Sequence, residues 1–198
     1  MDSNKHIIVL MGKSGSGKTT IEKMLLKKKN FRTLLIYTTR EKRPGEVNGV
    51  DYNFVSNEAF KKIKFDSKFI VNENWKYGVD LEYLKNIENN IFVFSPISEQ
   101  YSLDTITSAL NNGFTVDMFI LTVDKETRIE RLLSRGESQE SINKRFEIEE
   151  EEGEYSSRFD FLNPTIIDTG TISLEDSLQK ILKELPFWLF LTKQKTGI

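Results

Sequence analysis

The sequence contains no cysteine and a single histidine, His6. Without cysteine there is no disulfide framework, no thiolate zinc site and no thiol nucleophile, and a reducing, cytoplasmic setting is expected. One histidine leaves little from which to build a Ser-His-Asp triad or a histidine-ligated metal site. With 4 Pro and 11 Gly in 198 residues, collagen-like and Pro/Gly-rich disordered chains are excluded. Neither sign of charge dominates, since 28 Lys and Arg stand against 30 Asp and Glu for a net of −2. That balance gives no electrostatic footprint for a nucleic-acid polymer or a membrane surface. The longest apolar runs, Ile7 to Met11 and Phe187 to Leu191, are five residues each, far short of the roughly 20 of a membrane helix. The polar residues Met1 to Lys5 lead straight into a buried-strand pattern, so no signal peptide is expected. Hydrophobic residues make up 38% of the chain, including 14 Phe. This is ample core for one domain, expected as a monomer or homodimer.

Strand-like and helix-like segments alternate. His6 to Met11 is a continuous apolar run, and Thr19 to Lys29 shows helical spacing through Ile21, Met24 and Leu25. Arg32 to Tyr37 is the second strand candidate. Ile91 to Phe94 and Val116 to Val123 are β-rich runs on either side of a helix over Glu99 to Asn111, which Asn112-Gly113 stops. Pro164 to Asp168 is the last strand. Ser173, with Asp176 three residues on, caps a final helix reaching Glu184. Buried runs alternating with helices predict a mainly parallel sheet covered on both faces, a three-layer α/β/α fold. Two segments break the rhythm. Val47 to Trp75 carries shorter strands around Gly49-Val50 and a small helix near Asn57 to Ile63, as in a lobe inserted into the sheet. Asp124 to Tyr155 is helical and charged, with a bend at Arg135-Gly136. Its run from Glu147 to Glu154, six Glu in eight residues, reads as a solvated helix face.

Gly12-Lys13-Ser14-Gly15-Ser16-Gly17-Lys18-Thr19 matches G-x-x-x-x-G-K-[ST] in full, with a buried strand before it and a helix after it. Each position has a physical reason. The glycines let the backbone N–H groups of residues 12–17 converge on phosphate oxygens, and the following helix points its positive end at the anion. Lys18 reaches the outer phosphates. The Thr19 hydroxyl is the expected Mg²⁺ ligand, because magnesium prefers oxygen. Thr20 supports the loop and contacts an outer phosphate oxygen. The motif names a nucleoside triphosphate but not a reaction.

A second anion site is suggested by Tyr37-Thr38-Thr39-Arg40-Glu41-Lys42-Arg43, followed by Gly45-Glu46 and Asp51-Tyr52-Asn53-Phe54-Val55-Ser56. Two arginines three apart, then a turn and a tyrosine on the next strand, can fork around a phosphate. Surface arginines paired with Glu41 and Glu46 are the alternative. This stretch, T-T-R-x-x-R-x-G-E-x-x-G-x-D-Y-x-F-V-S, resembles the acceptor-site signature of guanylate kinases. Arg131-Leu-Leu-Ser-Arg135-Gly136 and Glu140 to Arg145 resemble that family's lid. The resemblance implies a P-loop nucleoside monophosphate (NMP) kinase fold in one domain. Its core would be residues 1–37, 91–124 and 157–198, with an NMP-binding lobe over 38–90 and a lid over 125–156. It further implies that Arg40, Arg43, Glu46, Tyr52 and Tyr77 serve the acceptor phosphate. Arg131, Arg135 and Arg145, with Lys18 and Arg40, would stabilise the γ-phosphoryl in transfer from ATP with Mg²⁺, GMP or dGMP being the default acceptor. Arg131 and Arg135, four apart, share a helix face; ion pairs with Glu130 and Glu126 are their other reading. Asp168 either accepts the adenine amino group or caps the turn at Thr169-Gly170.

The departures from the pattern cluster at the base. The guanine-reading positions fall on Ile36, Val71, Val79 and Phe94 or Ser95, and the segment between Phe69 and Tyr77 is short, with Glu73 or Asn74 as replacement candidates. Guanine's N1–H and N2–H₂ donors would be left unpaired there, at roughly 1–3 kcal/mol for each buried group. An acceptor base other than guanine is therefore expected. The stretch Ile91 to Ile97 also lacks the carboxylates that family members use to orient Mg²⁺ through water, and Glu99 is the nearest acid in the sequence. A phosphosugar kinase and a catalytically weak ATP-binding module are the other readings. The aromatic stretch Glu184 to Leu191 reads as a helix packed on the core or as a partner surface.

Overall fold

His6–Met11 (β1) is buried along its whole length because it lies at the centre of a five-stranded sheet. The computed structural model describes residues 5–43, 45–71, 75–87, 91–96, 98–151, 157–186 and 189, without the side chains of 150 and 151. β1 runs parallel to Ile91–Phe94 (β7) on one side and Thr115–Thr122 (β8) on the other, pairing Val9 with Phe94 and Met11 with Ile120. Phe31–Thr33 (β2) flanks β7 and Thr165–Asp168 (β9) flanks β8, so the order is β2-β7-β1-β8-β9, all parallel. Alternate residues of these strands feed two cores. Ile8, Leu10, Val93 and Phe119 pack under Lys18–Leu26 (α1) and Leu174–Glu184 (α7). Ile7, Val9, Phe92, Phe94 and Met118 pack under Glu99–Asn111 (α4). The three-layer arrangement is as expected. So are the limits of α4 and the Ser173 cap, whose hydroxyl accepts the Asp176 N–H at 3.0 Å. His6 is buried at the start of β1, with Nδ1 2.6 Å from the Thr115 hydroxyl and Nε2 3.0 Å from Asp117.

A second sheet is built between β2 and β7 of the first. Its strands are Tyr37–Thr38 (β3), Asn53–Phe54 (β4), Ser67–Val71 (β5) and Trp75–Val79 (β6), in the order β4-β3-β6-β5. Asn57–Lys62 (α2) and Leu81–Asn86 (α3) complete this part. Tyr77, Val79, Leu81 and Leu84 join the core under α4, so the small sheet is anchored to the large one by apolar contact.

Two sequence expectations are corrected. The strand expected over 32–37 is two strands in different sheets, because the chain changes partner at Leu34-Leu35-Ile36. Leu34 still donates to the Val93 carbonyl at 2.7 Å, and both it and Ile36 are buried. An apolar run reports burial without naming the neighbour. The strand expected at Gly49-Val50 is a turn closed by an Asn48–Tyr52 bridge, with Val50 60% exposed.

Lys125–Ser134 (α5) and Gln139–Glu151 (α6) form a helical hairpin with the expected break after Arg135, packed on its own cluster of Leu132, Ile142 and Phe146. A 3₁₀ turn over Ser157–Leu162 buries Phe159 and leads into β9. Leu185 and Leu189 pack into the core below α7. Phe187, Trp188, Phe190 and Leu191 lie outside the described residues, as do Glu73, Asn74 and residues 152–156. No described helix is long and apolar enough to cross a membrane.

Candidate active site

The loop between β1 and α1 opens at the carboxyl end of the sheet, where α/β folds bind their ligands. Its glycines are dictated by space. Gly12 has φ +152°, and a Cβ there would lie 2.4 Å from Ser16 Oγ and 2.6 Å from the Leu121 carbonyl. Gly17 caps α1 at φ +94°, where a Cβ would meet Leu174 at 2.7 Å. The Lys18 ammonium folds back over the loop, donating to the Gly12 carbonyl and to the Lys13 carbonyl at 3.3 Å. Burial pushes it from 10.5 down to about 8, with Arg128 and Arg135 adding to the effect and Glu149 opposing it. A cavity of about 170 Å³ lies between loop residues 13–19 and a wall of Leu132, Arg135 and Arg145. Thr19 lines it, and Thr20 donates its N–H to the Gly17 carbonyl at 3.0 Å.

The three arginines of the hairpin do different things. Arg135 ends α5 at the cavity wall. Arg145 joins it from α6, braced by Glu137 at 2.9 Å. Arg131 is turned to the back of the loop, where it donates to the Gly15 carbonyl at 3.1 Å and the Thr169 carbonyl at 2.7 Å. Thr169 in turn donates to the Ser16 carbonyl at 2.9 Å. The ion pairs with Glu126 and Glu130 are not formed. Arg131 therefore shapes the loop backbone.

A fourth arginine escaped the sequence reading. Arg128 is buried, donates through Nε to the Ser14 carbonyl at 2.7 Å, stacks on the Phe146 ring at 4.1 Å and pairs with Glu149. Glu149 also accepts the Ser14 N–H at 2.8 Å. The signal was there, since Arg128 lies one turn before Arg131 on the same helix face. Glu149 corrects the reading of its Glu-rich run as wholly solvated: its side chain is 15% exposed, whereas Glu147 beside it is open to solvent. A carboxylate thus holds a backbone donor of the loop, the kind of group that binds an anion. Glu149→Gln is expected to tighten ADP and ATP binding about tenfold, because a negative charge facing the phosphates is removed. Calorimetry of wild type and variant at equal ionic strength checks it.

At the small sheet, Arg40 is buried at the end of β3. Glu46 grips its guanidinium through two bonds, at 2.7 and 3.1 Å, and also accepts the Arg43 N–H at 2.8 Å. The Arg40 guanidinium lies 5.3 Å from the Tyr52 ring and 5.6 Å from the Phe54 ring, and Tyr52 meets Tyr77 edge-on at 6.2 Å. Arg40 is held above the usual arginine range by hydrogen bonding to Glu46, while the same pairing holds the Glu46 carboxyl low. The pairing foreseen as the alternative reading exists, and it fixes the fork in place. The Arg43 side chain is exposed.

Asp168 caps its turn, accepting the Gly170 N–H at 2.9 Å. Of the base-reading positions, Ile36, Val79 and Phe94 are core residues, 5%, 0% and 1% exposed. Ser95 donates its hydroxyl to Glu22 on α1 at 2.9 Å, a pairing that no motif announces.

The guanylate kinase family profile matches residues 4–185. A guanylate kinase of Caldanaerobacter subterraneus subsp. tengcongensis is 37% identical over 163 residues, covering 79% of this chain and 77% of that protein. One from Mycoplasmoides gallisepticum is 32% identical over 190 residues, covering 91% and 95%. The crystal structure of guanylate kinase from Anaplasma phagocytophilum shares the fold, with a TM-score of 0.56 at 21% identity over 98% of this chain and 89% of that one. Together with the phosphate loop facing two cavity arginines, these matches establish that the chain belongs to the guanylate kinase family and is an ATP-dependent nucleoside monophosphate kinase.

Proposed function

We propose that the chain transfers the γ-phosphoryl group of ATP to the 5′-phosphate of GMP. In this reading loop residues 12–20 hold the donor, the sheet within 38–90 is the acceptor lobe and the hairpin within 125–156 is the lid. The observation that carries it is the cavity in which Arg135 and Arg145 face the phosphate loop across Lys18. Phosphoryl transfer spreads charge over equatorial oxygens, and a protein contributes mainly positioning and cationic stabilisation. Lys18, Arg135 and Arg145 supply the cations, and Arg131 and Arg128 hold the loop backbone that orients the phosphates. Arg40, with Tyr52 and Tyr77 near it and the exposed Arg43 three residues on, orients the attacking phosphate, and Glu46 keeps Arg40 in place.

The residues fit a magnesium ion carried by the nucleotide. Among the described residues no group of three or more Asp, Glu or His comes together as a metal cage. Thr19 instead offers a hydroxyl in the phosphate cavity, and magnesium is commonly held by a few protein oxygens, substrate phosphates and water. When bound, the ion neutralises charge on the β- and γ-phosphates.

The test is ATP and Mg²⁺ with GMP, dGMP, AMP, CMP, UMP, dTMP and ribose 5-phosphate, with ADP release and the diphosphate product both measured. GMP is expected to be preferred about a hundredfold over the other bases, an advantage of about 2.7 kcal/mol. A second reading, a base other than guanine, draws on the apolar Ile36, Val79 and Phe94; preference for a pyrimidine nucleotide would replace the first reading with it. ATP binding with no product would leave a binding module.

A further inference from the structure

Glu22 is a negative charge in an awkward place. It follows Thr19 by three residues and Lys18 by four on α1, so it shares their helix face. Its carboxylate accepts the Ser95 hydroxyl at 2.9 Å, just beyond the end of β7. Its charge is felt at Lys18 and, towards the small sheet, at Asp51 and Tyr52, and the Lys18 and Lys23 charges act on it in return. It therefore lies one turn along α1 from the phosphate loop, on the side that meets the end of β7. Among the described residues it forms no ion pair with a Lys or Arg nitrogen. Burial raises its pKa, and the Ser95 bond pulls the other way.

A carboxylate beside a triphosphate site repels the ligand unless a cation lies between them. A divalent ion resolves the conflict, because magnesium keeps several of its waters and is commonly anchored by one or two carboxylates together with substrate phosphates. Resting on the MgATP-dependent kinase reading, we propose that Glu22, oriented by Ser95, positions the nucleotide-borne Mg²⁺ by accepting hydrogen bonds from its bound water. The C-terminal end of β7 carries no acid of its own, and the acid present there comes from α1.

Glu22→Gln keeps the side-chain size and an acceptor for Ser95 but removes the charge. The readout is equilibrium binding of ADP by calorimetry in excess Mg²⁺ and in EDTA, together with Mn²⁺ affinity of the protein–ADP complex by electron paramagnetic resonance. No acceptor nucleotide or turnover is needed, so a wrong acceptor assignment leaves the result intact. In the variant, the gain in ADP affinity on adding Mg²⁺ is expected to fall about tenfold and Mn²⁺ affinity to drop in parallel. Binding in EDTA should be unchanged or tighter. Ser95→Ala, which frees the carboxylate without removing it, should reproduce the metal effect at two- to threefold. An unchanged Mg²⁺ gain in Glu22→Gln would overturn the proposal. So would a loss of thermal stability in both variants with a normal metal response, which would make it a helix–strand clip.

Discussion

Lys18→Met is expected to lower kcat about 10³-fold, the scale seen when a preorganised charge facing a developing oxyanion is removed. The loss should appear in kcat more than in the KM for ATP, because the loop N–H groups still bind phosphate in the ground state. The same variant should not lose thermal stability when free of nucleotide. The reason is the ammonium's environment: burial lowers it to about 8. In the unfolded chain it titrates at its ordinary value, so between about pH 8 and 10.5 the unfolded state binds more protons than the folded one. By linkage this group's destabilising effect is complete below pH 8 and is relieved as pH rises through that window. Nucleotide reverses the sign, since a polyanion favours the protonated amine. ATP binding above pH 8 should therefore take up close to one proton and weaken with rising pH, approaching tenfold per unit. Calorimetry in buffers of different ionisation enthalpy measures that uptake. Binding that is flat from pH 7 to 9.5 would show that Lys18 does not titrate there.

What the sequence disclosed and what it hid divide along a physical line. β1 and the loop were legible because burial of a central parallel strand forces a continuous apolar run, and because phosphate binding forces glycine where a side chain would collide, as at Gly12. The ends of α4 and the Ser173 cap were legible because capping is local chemistry between residues a few positions apart. Hidden were contacts between distant segments. Arg128 and Ser14 are 114 positions apart, and Glu22 and Ser95 are 73 apart; no short-range rule brings them together. The split of 32–37 between two sheets was hidden for the same reason. The hairpin arginines were half legible: the four-residue spacing put Arg131 and Arg135 on one helix face, but only the folded chain separates Arg131 on the loop's back from Arg135 and Arg145 in the cavity.

Arg40→Ala is expected to reduce kcat/KM for the acceptor nucleotide by 10²- to 10³-fold, with little change in ATP binding. Removing the buried guanidinium leaves its partners unpaired, and here the loss falls on two partners at once. The incoming phosphate loses a planar bidentate donor. Glu46, which grips the guanidinium at 2.7 and 3.1 Å, is left facing that phosphate as an unneutralised anion. Arg40→Lys should recover little, because an ammonium cannot offer a fork to Glu46 and phosphate together or stack between the Tyr52 and Phe54 rings. Glu46→Gln separates the two effects. It keeps an acceptor toward Arg40 and the Arg43 N–H while removing the competing charge, so acceptor affinity should fall less than tenfold. The double variant Arg40→Ala/Glu46→Gln should then regain part of what Arg40→Ala loses, since the stranded anion is gone. Steady-state kinetics with the acceptor varied at saturating ATP gives all four values. Strict additivity across that cycle would mean that Glu46 does not act through Arg40.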